Sequence, residues 1–175
     1  MDFKQIDQLA SQEPPLPYLV IGGYAVAAHG YSRTTIDTDL LVRRTDKQSW
    51  HDRCLKAGLG CIGQSTSFSQ YDGVDKRLDL MFVDEKAFEK MNADSVPQDY
   101  GDVHAKVVSL EHLIALKLHA LKNAPKHRTS KDLNDIEMLA KHHSLPITND
   151  YYRELFLKYG NQHIYETLLR CLKHD

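Results

Sequence analysis

The sequence predicts an α+β fold, a mixed β-sheet flanked by helices and followed by a C-terminal helical bundle. Three observations predict it. Short, β-branched apolar runs concentrate before residue 108. Beyond that point, leucine and isoleucine recur at helical spacing instead. A chain of 175 residues is also long enough to bury a real core in one domain carrying a modest helical extension. The expected organisation is an α+β segment over 1–108 and a helical region over 109–175.

Residues 2–11 place Phe3, Ile6, Leu9 and Ala10 on one face of a short amphipathic helix. The prolines of "EPPLP" end it, because proline cannot continue a helix and restricts the residue before it. "YLVI" (18–21) reads as a buried strand, and the alanine-rich "GYAVAAHG" (23–30) as a short helix closing on glycine. "TIDTDLLV" (35–42) is β-branched and alternating, hence a strand with Asp37 and Asp39 on one face and Ile36, Thr38 and Leu40 on the other. A helix over 46–58 follows, then strand-like pieces at 61–71 and 77–83 with "DGVDK" as the turn between them. A helix over 85–92, a polar loop over 94–102 and a last strand in "VHAKVVS" complete the first segment. Ser109 then caps a long helix whose leucines form a broad apolar face and which Pro125 ends. Thr129 or Ser130 caps a second helix, and two more are expected over 149–159 and 161–173, divided by Gly160.

Composition narrows the function. A net charge of -2 and a pI near 6.5 argue against a protein that coats nucleic acid. Lys117, Lys122, Lys126, His127, Arg128 and Lys131 nevertheless gather into a local basic stretch, which a solvated helix end would also produce. Cys54, Cys61 and Cys171 have no CxxC spacing and fit free thiols in a reducing cytoplasm. The N-terminus is too polar for a secretory leader and no apolar run is long enough to span a membrane, so a cytoplasmic protein is expected. Neither His112 with His119 nor His142 with His143 has the i, i+4 spacing of a zinc helix.

The informative stretch is "VIGGYAVAAHGYSRTTIDTDLLV" (20–42). Two carboxylates on one face of a largely apolar strand repel each other and lose hydration. Arg33, Arg43 and Arg44 could neutralise them; so could a divalent metal, since Mg²⁺ takes one or two carboxylates with waters and substrate phosphate oxygens. Asp79 interrupts the apolar "RLDLMFV" in the same manner and is expected beside Asp37 and Asp39, unless Arg77 pairs with it instead. Gly22 and Gly23 end one strand and open a helix, which lets backbone N–H groups approach a phosphate. Taken alone, Lys117 between Leu116 and Leu118 reads as a snorkelling surface lysine, and Asp132 as a complement to its helix N-terminus.

A Gly-Gly pair, a spacer of thirteen residues (24–36) and an Asp-x-Asp between apolar residues resemble the signature of the DNA polymerase β-type nucleotidyltransferase superfamily, with Thr38 where a larger apolar residue is usual. The resemblance is nearest to the AbiEii/AbiGii toxin-like branch. Arg33, Thr34 and Thr35 before the first aspartate, Asp79 on a later strand, Lys117 in "LIALKLHAL" and Lys131, Asp132 and Asp135 in "KDLNDI" match its motifs in order.

The resemblance implies transfer of a nucleoside monophosphate from an NTP to an acceptor hydroxyl, with the helical region completing the active-site cleft. Asp37, Asp39 and Asp79 would be catalytic and would bind two Mg²⁺ ions, with Mn²⁺ able to replace them. Gly22, Gly23, Arg33, Thr34, Lys117, Lys131, Asp132 and Asp135 would bind the nucleotide. The acceptor would be RNA, protein or a small molecule, and a cognate antitoxin would be a partner. Three functions stay open on these residues: a toxin of a toxin–antitoxin pair, an antibiotic-type small-molecule nucleotidyltransferase, and a non-catalytic nucleotide-binding or antitoxin-like member.

Overall fold

The computed structural model describes residues 1–74, 76–123 and 129–173. The expected stop at Pro125, the basic Lys126, His127 and Arg128, the Asp75 of the expected turn and a cap by the Thr129 side chain lie outside the described residues. The chain divides into two compact units: Met1–Ala28 with Arg33–Ser109, and His29–Ser32 with Leu110–Asp175. Residues 29–32, placed in the first segment by sequence, thus group with the helices.

The first unit is built on a seven-stranded mixed sheet: β1 (Tyr18–Val20), β2 (Thr38–Arg43), β3 (Gly60–Gln64), β4 (Phe68–Gly73), β5 (Lys76–Val83), β6 (Val96–Tyr100) and β7 (Val103–Val107), in the order β3-β4-β5-β2-β1-β7-β6. The neighbours β2–β5 and β1–β7 run parallel and the remaining pairs antiparallel. The middle strands carry Leu19, Val20, Leu40, Leu41, Val42, Leu78 and Leu80 fully buried, the continuous apolar reading of strands covered on both faces. Helices α1 (Phe3–Ala10), α2 (Gly22–Ala28), α3 (Lys47–Lys56) and α4 (Glu85–Ala93) belong to the same unit. Asp2 and Asp84 cap α1 and α4 by accepting from Gln5 N and Ala87 N, each at 2.8 Å. The buried guanidinium of Arg53 on α3 donates to the carbonyls of Leu9 (2.7 Å) and Ala10 (3.3 Å) at the end of α1 and to that of Pro14 (2.5 Å) beyond it.

Three local expectations change. Strand β2 begins at Thr38, where its pairing with Leu78 of β5 begins, and Arg33–Asp37 stay irregular. Ile36, expected on a buried face, is therefore 82% exposed. The expected loop at 94–102 contains β6, an edge strand paired with β7; its Pro97 and the polar Gln98 and Asp99 hid it, and an edge tolerates proline because one side needs no ladder bond. The piece at 61–71 is two strands, turned by Ser65, whose hydroxyl accepts from Ser67 N (3.2 Å) and Phe68 N (3.0 Å).

The second unit contains α5 (Leu110–Asn123), α6 (Thr129–His142), α7 (Asp150–Tyr159) and α8 (Gln162–Lys173). Ile114, Leu118, Ile136, Phe156, Tyr165 and Leu168 form the centre of its apolar core. Asn149 caps α7 and Asn161 caps α8, accepting from Tyr152 N (2.8 Å) and Ile164 N (2.9 Å). The His29–Ser32 segment is held within this unit: His143 Nε2 lies 2.8 Å from the His29 carbonyl, and Asn134 donates to the Tyr31 hydroxyl at 3.1 Å. No described helix is long and apolar enough to cross a membrane.

Candidate functional site

The loop between β1 and α2 is where the sheet unit becomes unusual. Gly22 adopts φ +63°, a backbone conformation that penalises any side chain. A Cβ at Gly22 would also fall 2.0 Å from Asp39 Oδ2 and 2.5 Å from its Cγ. The missing side chain is therefore replaced by the Asp39 carboxylate, which lies directly on the Gly22 Cα. The neighbouring Gly23 does the same for Thr35: a Cβ there would meet Thr35 Oγ1 at 2.5 Å and the Arg33 guanidinium at 3.3 Å. The Gly-Gly pair thus seats the acidic strand and the segment leading into it. Ile21 N ties the two strands together by donating to the Asp39 carbonyl at 3.0 Å.

The parallel register of β2 on β5 sets Asp39 directly opposite Asp79, and β4 sets Gln70 opposite Asp79 on its other side. Residues at facing register positions project from the same face of a sheet, so Gln70, Asp79 and Asp39 form one row across three strands. The Gln70 amide donates to Asp79 Oδ2 at 3.1 Å. Asp37 sits one residue before β2, and its Oδ1 lies 3.7 Å from Arg77 Nη1. That pair is 44% and 35% exposed, so it contributes only about 0–1 kcal/mol. The ion pair that Arg77 forms is thus with Asp37, where sequence reasoning considered Asp79. Arg33 Nη1 donates to the Thr34 carbonyl (3.3 Å), the Thr35 hydroxyl to the Asp37 carbonyl (3.2 Å), and Thr34 itself is exposed. In this unit the fold therefore gathers Gly22, Gly23, Arg33, Thr35 and Asp39 at one loop, and Asp79 beside Asp39.

Lys117, Asp132 and Asp135 meet in the helical unit. The Lys117 ammonium donates to Asp132 Oδ1 at 2.8 Å and to Asp135 Oδ2 at 2.7 Å, with side chains 7%, 26% and 0% exposed respectively. Lys117 is thus neither a surface lysine nor solvent-facing; it joins α5 to α6 through a buried ion triad. Lys131, on the same helix as both aspartates, is exposed.

Sequence reasoning missed Gln70 and the Arg77–Asp37 pair. A polar residue at an alternating position of "FSQYDG" was the only available signal for Gln70, and Arg77 could be matched to its carboxylate only once the register was known. Cysteine chemistry plays no part at Cys54, whose thiol burial pushes up to about 12, leaving it protonated and unreactive.

The sheet face suits a hard divalent cation in its donor chemistry, because Asp39 and Asp79 present carboxylate oxygens from adjacent strands. Among the described residues no three His, Cys, Asp or Glu side chains gather closely enough to form a complete cage. Mg²⁺ does not require one, since one or two carboxylates suffice when phosphate oxygens and water fill the remaining positions.

The profile of a family described as "Nucleotidyl transferase AbiEii toxin, Type IV TA system" matches residues 9–172. No curated protein matches the sequence. Among solved structures, the chain is similar to ANT(2")-Ia in its crystal structure with adenylyl-2"-tobramycin, at a TM-score of 0.65 and 15% identity over 89% of this chain and 93% of that one. The solution structure of ANT(2'')-Ia gives a TM-score of 0.66 and 17% identity over 98% and 97%. The lincosamide antibiotic adenylyltransferase LnuA, lincomycin-bound, gives 0.58 and 16% identity over 80% and 94%. At these identities the likeness establishes a shared fold.

Proposed function

The chain belongs to the AbiEii nucleotidyltransferase toxin family, and from that premise we propose that it moves a nucleoside monophosphate from an NTP to an acceptor hydroxyl, using Asp37, Asp39 and Asp79. The observation that carries this reading is the row in which Asp39 faces Asp79 while its carboxylate rests on Gly22. Two carboxylates facing each other on adjacent strands, one packed on a glycine held at positive φ, suit a cationic ligand.

Asp37, Asp39 and Asp79 would hold Mg²⁺, or Mn²⁺ in its place, and the bound ion supplies charge neutralisation for the phosphate oxygens. Arg33, Thr34 and the Gly22–Gly23 backbone bind the triphosphate. Asp79, held by the Gln70 amide, takes the proton of the acceptor hydroxyl. The acceptor oxygen forms its bond to the α-phosphorus, the bond to the bridging oxygen breaks, and pyrophosphate leaves with that electron pair. In the helical unit we assign Lys117 to holding Asp132 and Asp135 in place, and the exposed Lys131 to phosphate or acceptor charge.

The family's description, a toxin of a toxin–antitoxin system, favours a toxin countered by a cognate antitoxin, and we take an RNA end or a protein hydroxyl as its acceptor. A small-molecule acceptor is the second reading, favoured by the likeness to ANT(2")-Ia and LnuA across almost their whole lengths. Incubation with each α-³²P-labelled NTP and total RNA, a protein extract or a panel of aminoglycosides and lincosamides separates them. The wild type should label one acceptor class and Asp39→Asn none. Label that survives Asp39→Asn overturns the catalytic assignment, and label confined to small molecules overturns the toxin reading.

A further inference from the structure

The register that sets Asp39 against Asp79 has a second row beside it. Two residues forward on β4 and two back on the antiparallel β5, Asp72 faces Arg77, and Asp37 reaches Arg77 at 3.7 Å. Gln70, Asp79 and Asp39 make one row; Asp72 and Arg77 make the next on the same face, and the ion contact brings Asp37 to Arg77 from just before β2. Across the two rows stand four carboxylates and a single guanidinium. Arg77 is therefore a cation built into the very patch assigned to a divalent ion, and its ion partner is Asp37 rather than a residue remote from the site.

We propose that Arg77 is a resident counter-cation for Asp37, which a divalent ion must displace, so that Arg77 is a positioning residue setting the protein's affinity for that ion. The proposal rests on the metal reading of the three aspartates given above. Three features fit a displaceable role. The contact is long for an ion pair, at 3.7 Å; both side chains are more than one-third exposed; and Asp37 lies at a bend one residue before the regular strand. A guanidinium holds one charge where the ion brings two, and it keeps Asp37 from being driven away by Asp39 while no ion is present. When the ion arrives, Asp37 changes partner and Arg77 is released toward solvent or toward the anionic substrate.

The test measures Mn²⁺ binding to the full chain without nucleotide, by loss of the free-ion electron paramagnetic resonance signal. Wild type, Arg77→Gln, Asp37→Asn and the double variant are compared at low salt. Arg77→Gln should tighten Mn²⁺ binding about three- to tenfold, the effect of removing one nearby competing charge. In the Asp37→Asn background the same change should matter less than about twofold, because the competition is for the Asp37 carboxylate. Unchanged or weaker binding in Arg77→Gln overturns the proposal. So does a full gain that persists in Asp37→Asn, which would mean that Arg77 acts through its general field. Arg77→Met, which keeps the aliphatic stem, supplies the same readout if Arg77→Gln does not fold. Absence of bound manganese in every variant overturns the metal reading and this proposal together, whereas binding by wild type that Arg77→Gln leaves unchanged overturns this proposal alone.

Discussion

The sheet unit and the helical unit each bring aspartates together with basic side chains, and they treat the same ingredients in opposite ways. In the helical unit, Lys117 is buried between Asp132 and Asp135 with both contacts under 3 Å. In the sheet unit, Asp39 and Asp79 face each other across a strand pair while Arg77 reaches Asp37 at 3.7 Å in partial solvent. A buried charge must be matched at short range, because the low-dielectric interior makes an unmatched one very costly. A carboxylate at a half-exposed sheet face tolerates a longer, solvent-screened contact, as Asp37 does with Arg77. The comparison sets charges matched at short range in the interior against charges at a half-exposed sheet face, the ones proposed above to meet a ligand.

The strongest way to break that contrast is Lys117→Met. It leaves the fully buried Asp135 without its ammonium and should cost about 3–5 kcal/mol, read by urea unfolding. A variant of unchanged stability would show that the triad is not structural. Next comes Gly22→Ala, which places a methyl group where the Asp39 carboxylate lies and demands a left-handed alanine. A stability loss of about 1–3 kcal/mol is expected, along with loss of NMP transfer through displacement of Asp39. Transfer at the wild-type rate would remove the glycine from the site.

Asp39→Asn should do the reverse of Lys117→Met. It should abolish labelling of the acceptor yet change stability by less than about 1 kcal/mol, because the substitution keeps the shape and reduces the repulsion from Asp79. A thermal melt that falls as far as that of Lys117→Met would erase the distinction between the two units. Gln70→Ala removes the amide that holds Asp79 and should lower transfer about tenfold with little effect on stability, measured as kcat against urea midpoint.

The smallest effect concerns a buried neutral group. Burial raises the Cys54 thiol from its ordinary value of 9.0 to about 12, so the folded state prefers the protonated form. The stability this contributes is complete below about pH 9 and is lost as pH rises toward 12. At pH 8 iodoacetamide should modify the exposed Cys61 and leave Cys54 untouched, as peptide mass spectrometry would show; labelling of Cys54 in the native protein would mean that its surroundings open.

Much of the fold was legible because it is written locally. Phe3, Ile6 and Leu9 mark α1, the leucines of α5 announce a core helix, and the glycine pair followed by Asp-x-Asp marks the loop and strand of a nucleotidyltransferase. Strand β6 escaped because an edge strand need not bury either face, so its polar sequence carries no period-two signal. The start of β2 was misplaced by three residues because alternation in "TIDTDLLV" continues past the point where a partner strand exists.

The sequence by itself determined which residue types occur and how far apart they stand along the chain: an α+β head, a helical tail, a tight Gly-Gly turn and aspartates on apolar strands. Tertiary structure alone decided who faces whom. The register of β2 on β5 joins residues forty positions apart, setting Asp39 against Asp79 and bringing Arg77 to Asp37, and a one-residue slip would have set Asp39 against Leu78 or Leu80. The packing of α5 on α6 likewise turned Lys117 from a lysine among leucines into the centre of a buried ion triad. Local patterns follow from the chain's own geometry, whereas the balance of charge at a site depends on neighbours that only the folded chain supplies.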